Sequence, residues 1–116
     1  MAAVVYLVRD LLFTAKIREA ADHLGVEVTR ADDPQALHAA AKSARLVLID
    51  LRLPEALRAI ELLAQDPATA NVHSVGFIDH ERLDVMEAAK TTGAREVMAK
   101  GQFSSSLPAL LRRAAG

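Results

Sequence analysis

Residues 46–54 read Leu46-Val47-Leu48-Ile49-Asp50-Leu51-Arg52-Leu53-Pro54. Four consecutive aliphatic residues mark a strand covered on both faces, because a strand with one wet face alternates apolar and polar positions. Asp50 ends the run. A carboxylate buried without a partner is too costly to tolerate, so the pattern places Asp50 at the exit of a central strand, beside a cation or hydrogen-bond donors. The competing reading is an aspartate that ends a strand and accepts backbone N–H bonds in the following loop.

The same grammar extends outward in both directions. Val4-Val5-Tyr6-Leu7-Val8 is a second continuous run, closed by Arg9-Asp10. A helix follows with Phe13, Ile17, Ala20 and Leu24 on one face, stopped by Gly25. Residues 26–29 read as a short strand. Asp33-Pro34 starts a helix whose inner stripe is Leu37, Ala40 and Ala41. After the Asp50 strand a third helix begins near Pro54, buries Leu57, Ile60 and Leu63, and is closed by Asp66-Pro67. Residues 72–78 read as a strand despite Ser74 and Gly76, followed by a helix over 81–92 with Leu83, Met86 and Ala89 inward, stopped by Gly93. Residues 96–99 are the last strand, and Ser106-Leu107-Pro108 opens a final helix to about Ala114.

Five strand–helix pairs predict an α/β, flavodoxin-like doubly wound parallel sheet in the order 2-1-3-4-5, one domain over residues 1–116. Such sheets bind ligands beyond the carboxyl ends of the strands, between strands 1 and 3. That rule selects Asp10 and Asp50 and puts Lys100 on the same edge. Asp10 has a second reading as the N-cap of the first helix.

Composition narrows the function classes. Fourteen Lys plus Arg against fifteen Asp plus Glu give 14 − 15 = −1, which argues against nucleic acid as a partner. With no cysteine, thiolate metal sites, disulfides and cysteine nucleophiles are excluded. The 2–8 apolar run is too short for a signal-peptide core and no stretch suits a bilayer, so a cytoplasmic protein with no membrane partner is expected. Three Phe, one Tyr, no Trp and 23 Ala imply an aliphatic core and closely packed helices. No Ser–His–acid spacing, nucleophile elbow or P-loop marks an independent enzyme.

With these residues assembled, the chain resembles a response-regulator receiver domain over essentially its whole length. The matching stretches are Val4 to Asp10, Leu46 to Pro54 and Gly93-Ala94-Arg95-Glu96-Val97-Met98-Ala99-Lys100. The resemblance implies that Asp50 is a phospho-acceptor, forming an acyl phosphate with a phosphoryl group from a histidine kinase or small phosphodonor. It also implies Mg2+ held by Asp10 and Asp50 in an acidic pocket, and Lys100 neutralising the transferred group.

Three positions depart from the family. Arg9 replaces one of the two acids at the end of strand 1. Ile78 stands where a Ser or Thr hydroxyl grasps the phosphoryl group, and Val97 where an aromatic ring changes rotamer. Arg9 is expected to act, with Lys100, as a pocket cation; its other reading points it into solvent and leaves Asp10 and Asp50 a usable two-acid site. At an effective dielectric near 20 and about 4 Å, repulsion is roughly 4 kcal/mol per unit charge, so Mg2+ binding is expected to be weak or absent. His80, on the strand-4 edge, is a candidate loop contact, and Asp79 reads as the N-cap of helix 4 or, with the strand-4 register moved by a residue or two, as a residue of the site. Leu11-Leu12-Phe13 is either a core staple or a docking patch.

The departures favour a degenerate stand-alone receiver, or pseudo-receiver, acting through contacts with a signalling partner, kinase or effector, or through homodimerisation along its last two units. The fifth helix is expected to consume the chain's end, leaving no output domain. An ordinary Mg2+-dependent phospho-accepting receiver is the first alternative. A small-ligand or flavin binder is the second, disfavoured by the poor phosphate turn after strand 1.

Overall fold

The computed structural model describes residues 2–115, along which strands and helices alternate. In chain order they are β1 (Val4–Leu7), α1 (Leu11–Leu24), β2 (Val28–Arg30), α2 (Pro34–Ala41), β3 (Leu46–Asp50), α3 (Ala56–Gln65), β4 (His73–Ile78), α4 (Leu83–Thr92), β5 (Glu96–Ala99) and α5 (Lys100–Ala115). The strands form one parallel sheet in the order β2-β1-β3-β4-β5, the flavodoxin-like arrangement expected. Leu7 pairs with Ile49, Asp50 with Phe77 and Ile78 with Ala99, so the carboxyl ends lie level along one edge. No helix among the described residues is long and apolar enough to cross a membrane.

Continuous apolar strands supply two cores, one per face. Tyr6, Leu48, Val75, Phe77 and Met98 pack under α1 and α5; Val5, Leu7, Val47, Ile49 and Ile78 pack under α2, α3 and α4. The expectation of an aliphatic core holds only on the second face. All three Phe converge on the first, with Phe77 and Phe103 stacked at 4.0 Å and Phe13 tilted against both. Tyr6 is buried there too, its hydroxyl accepting a 2.8 Å bond from Arg18.

Helix ends follow local chemistry. Asp10 and Asp33 cap α1 and α2, the latter with Pro34 in the first turn, and Gly25 closes α1 with φ 69°. Gly93 closes α4 with φ 125°, and a Cβ there would lie 2.9 Å from the Cβ of Ala64 on α3. Any side chain at 93 would therefore be strained and would push two helices apart.

Several boundaries and faces differ from the sequence expectation. α5 opens at Lys100 rather than Ser106 and carries Pro108 inside it. An interior proline costs about 3 kcal/mol. Burying Phe103, Leu107, Leu110 and Leu111 on one stripe, at about 1.5–3 kcal/mol each, outweighs it. β2 starts at Val28 rather than 26, α3 at Ala56 rather than Pro54, and α4 at Leu83 rather than 81. Leu57 and Leu83 are exposed, Leu83 at 70%. α3 buries Ala56, Ala59, Ile60 and Leu63, and α4 turns Val85, Met86 and Ala89 inward, because alanines let each helix sit closer than a leucine stripe would. The two weak points of β4 are built features. Ser74 Oγ accepts the backbone N–H of Arg95 at 3.0 Å, and Gly76 leaves room for Leu51, whose side chain lies 2.8–3.0 Å from where a Cβ would stand.

Candidate functional site

Asp50 ends β3 with its side chain only 2% exposed. The chain then folds back on it. Arg52 donates its backbone N–H to Asp50 Oδ1 at 3.0 Å, an Asx-type turn, and Leu53 N–H reaches the Asp50 carbonyl at 3.2 Å. This turn delivers the Arg52 guanidinium to the same carboxylate. Nε lies 3.1 and 3.3 Å from Oδ1 and Oδ2, and Nη2 lies 2.9 Å from Oδ2. The same Nη2 donates to Asp10 Oδ2 at 2.7 Å. One guanidinium thus joins the two acids at the β1 and β3 ends.

Asp10 is the N-cap of α1 through one oxygen and turns the other toward the acid pair. Oδ1 accepts the N–H groups of Leu12 and Phe13, capping α1, while Oδ2 takes Arg52. The hydrogen bond from Arg52, then the N–H of Phe13, hold its carboxyl below the usual carboxylate range, and Asp50 and Asp10 together push the Arg52 pKa up. Because Asp10 takes up the N–H groups of Leu12, Phe13 and Thr14, the first turn of α1 is a poor cradle for a phosphate-bearing ligand.

Arg9 does not enter the pocket. Its Nη2 donates to Glu55 Oε2 and to the Asp32 carbonyl, each at 2.7 Å, tying the loops after β1, β2 and β3 together. A solvent-side carboxylate and an open carbonyl draw it outward, while Arg52 already serves the acids within. Lys100 likewise lies away from the expected partner: its Nζ pairs with Asp79 at 3.0 Å and stands 5.6 Å from the Phe13 ring centroid. Lys100 lowers the Asp79 pKa. Asp79 is therefore no cap; Arg82 occupies the N-cap position of α4, with no side-chain cap bond.

Ile78 is the last residue of β4 and lies in the core shared with α3 and α4, so it presents no polar group to the pocket. Val97 packs against that same core. His80 is 80% exposed, its Nε2 3.7 Å from Glu81, and makes no hydrogen bond to the site. The Leu11-Leu12-Phe13 run divides: Phe13 is core, whereas Leu11 and Leu12 stand exposed at the rim, Leu11 at 85%.

Arg52 is the site residue that sequence reasoning missed. Its signal was a cation two residues after a strand-ending acid, within reach of the neighbouring strand end. The pocket carries Asp10, Asp50 and Asp79 against Arg52 and Lys100, and −3 + 2 = −1. Both oxygens of Asp50 and the free oxygen of Asp10 face a guanidinium, and Asp79 faces an ammonium. Among the described residues no three His, Asp or Glu side chains converge as a metal cluster. As arranged, these residues do not fit Mg2+.

No family model and no curated protein matches the sequence. Solved structures do. A response-regulator receiver domain from Rhodospirillum rubrum is 21% identical with a TM-score of 0.75, covering 97% of this chain and 94% of its own. The receiver domain of a sensor histidine kinase from Pseudomonas aeruginosa, whose structure has a magnesium ion coordinated in the active-site cleft, is 18% identical with a TM-score of 0.79, covering 99% and 98%. A chemotaxis response regulator of Vibrio cholerae is 18% identical with a TM-score of 0.77, covering 98% of each chain. Strand order, helix placement and near-complete mutual coverage agree: the chain has the response-regulator receiver fold.

Proposed function

We propose that the chain is a receiver-type module of two-component signalling that works mainly through contacts with a signalling protein, with phosphoryl acceptance at Asp50 impaired. One observation carries the reading: the carboxylate at the acceptor position is buried and both of its oxygens are held by Arg52. A carboxylate must present a free oxygen to attack phosphorus, and this one presents none. Two further features agree with it. Ile78 offers no hydroxyl to a phosphoryl group, and Lys100 is held by Asp79. A contact surface is available in Leu11 and Leu12, exposed beside the pocket.

The ordinary phospho-accepting receiver is the second reading. It is favoured by the nearness of Asp10 and Asp50, whose Oδ2 atoms share a single nitrogen. Incubation with acetyl phosphate and Mg2+, followed by intact-mass measurement, separates the two. The first reading expects an unchanged mass. A labile gain of one phosphoryl group that is lost in Asp50→Asn establishes the second instead.

A further inference from the structure

We propose that Arg52 is a tethered counter-cation that occupies the place of a divalent ion between Asp10 and Asp50, so that guanidinium and metal ion exclude one another from this pair. The proposal deepens the receiver-type reading of the same site, and cation binding tests it with no phosphoryl donor present.

Three observations lead to it. First, Nη2 of Arg52 lies 2.7 Å from Asp10 Oδ2 and 2.9 Å from Asp50 Oδ2, bridging the two acids as a metal ion would. Second, every hydrogen bond found for the Asp50 carboxylate comes from Arg52, whose side chain is 35% exposed against 2% for Asp50. The guanidinium is therefore the solvent-side layer over the carboxylate, and an ion approaching Asp50 meets it first. Third, among the described residues no other cation is paired with these acids: Arg9 is held by Glu55 and the Asp32 carbonyl, and Lys100 by Asp79.

Electrostatics make the exclusion mutual. Asp10 and Asp50 supply two negative charges and Arg52 returns one. A divalent ion in the same space would meet a fixed positive charge a few ångströms away, in a site where burial weakens solvent screening. Arginine cannot shed its proton to relieve the conflict, so it must swing out. Its exposure leaves a path for that swing, while the backbone Asx turn at Arg52 N–H preserves the loop. Once the guanidinium leaves, Asp10 keeps its place because Oδ1 remains fixed by the N–H groups of Leu12 and Phe13. The acids are then preorganised for a hard cation with oxygen ligands and several waters.

The test uses Mn2+ as the probe, followed by the electron paramagnetic resonance signal of the free ion, on the full chain and on Arg52→Met and Arg52→Ala. Methionine keeps an apolar stem, and circular dichroism identifies which variant is folded. The expected result is one Mn2+ site in the folded variant, at least tenfold tighter than any in the parent chain, and lost when Asp50→Asn or Asp10→Asn is added. Equal Mn2+ affinity in the parent and the variant overturns the proposal, as does absence of a site in a folded Arg52 variant. A phosphoryl adduct on the parent chain would sink the impaired-acceptor reading, yet it leaves these Mn2+ outcomes separately readable.

Discussion

The two arginines beside the acid pair have opposite fates, and the difference is one of local hydrogen-bond supply. Arg9 adjoins Asp10 in sequence yet spans outward to Glu55 and the Asp32 carbonyl, while Arg52 is turned inward by the Asx turn at Asp50. Exposed pairs like Arg9–Glu55 contribute little, so Arg9→Ala is expected to cost about 0–1 kcal/mol in urea unfolding and to leave Mn2+ binding unchanged. Arg52→Ala strands a buried carboxylate. It is expected to cost about 1–3 kcal/mol, more than Arg9→Ala under the same conditions. Equal costs would show that the guanidinium contributes nothing to Asp50. Asp50 and Asp10 were legible in the sequence because topology alone brings their strand ends together. The cation between them was not, because a long flexible side chain goes where the folded loops place its acceptors. Arg9 therefore invited the role that Arg52 fills.

At the scale of elements, continuous apolar runs and capping residues made strand order and helix count readable, whereas helix faces were misread where alanine does the packing. Leu57 and Leu83 looked like anchors, but both are exposed: Ala56 and Ala59 are buried beside the expected Ile60 and Leu63, and Val85 packs inward beside the expected Met86 and Ala89, since small side chains gain contact by letting backbones approach. The start of α5 was misread for a related reason: Ser106-Leu107-Pro108 resembles a helix opening, yet Phe103 already belongs to the buried stripe. Pro108→Ala is accordingly expected to stabilise the protein, by up to about 3 kcal/mol, because it restores an interior N–H without touching the core. A loss of stability would mean that the proline ring packs rather than interrupts. Gly76→Ala should act in the other sense. Its methyl group would press on Leu51, next to Asp50, and overpacking of this kind costs about 1–3 kcal/mol in denaturant unfolding.

For the whole molecule, the carboxyl edge of the sheet is a chain of ion pairs laid over two apolar cores: Arg9–Glu55, Arg52–Asp10–Asp50 and Lys100–Asp79. Paired guanidinium or ammonium groups lower the carboxyl pKa values of Asp10, Glu55 and Asp79, and backbone N–H of Ala68, then His38, lower that of Asp66. The sign of the consequence is fixed by proton counting. These acids bind protons at a lower pH in the folded chain than in the unfolded one, so their contribution is fully present above the unfolded carboxylate pKa of about 4 and fades as pH falls through the folded values. The melting temperature should therefore be nearly flat from about pH 8 to pH 5 and drop steadily below about pH 4, with the drop softened by salt because Asp10, Glu55, Asp66 and Asp79 each keep part of the side chain in solvent. Removing charges from the edge should flatten the limb: Asp10→Asn with Asp79→Asn should melt lower near neutrality and lose less on acidification than the parent. A parallel acid limb in that double variant would place the titrating groups elsewhere and detach the edge network from the stability of the fold.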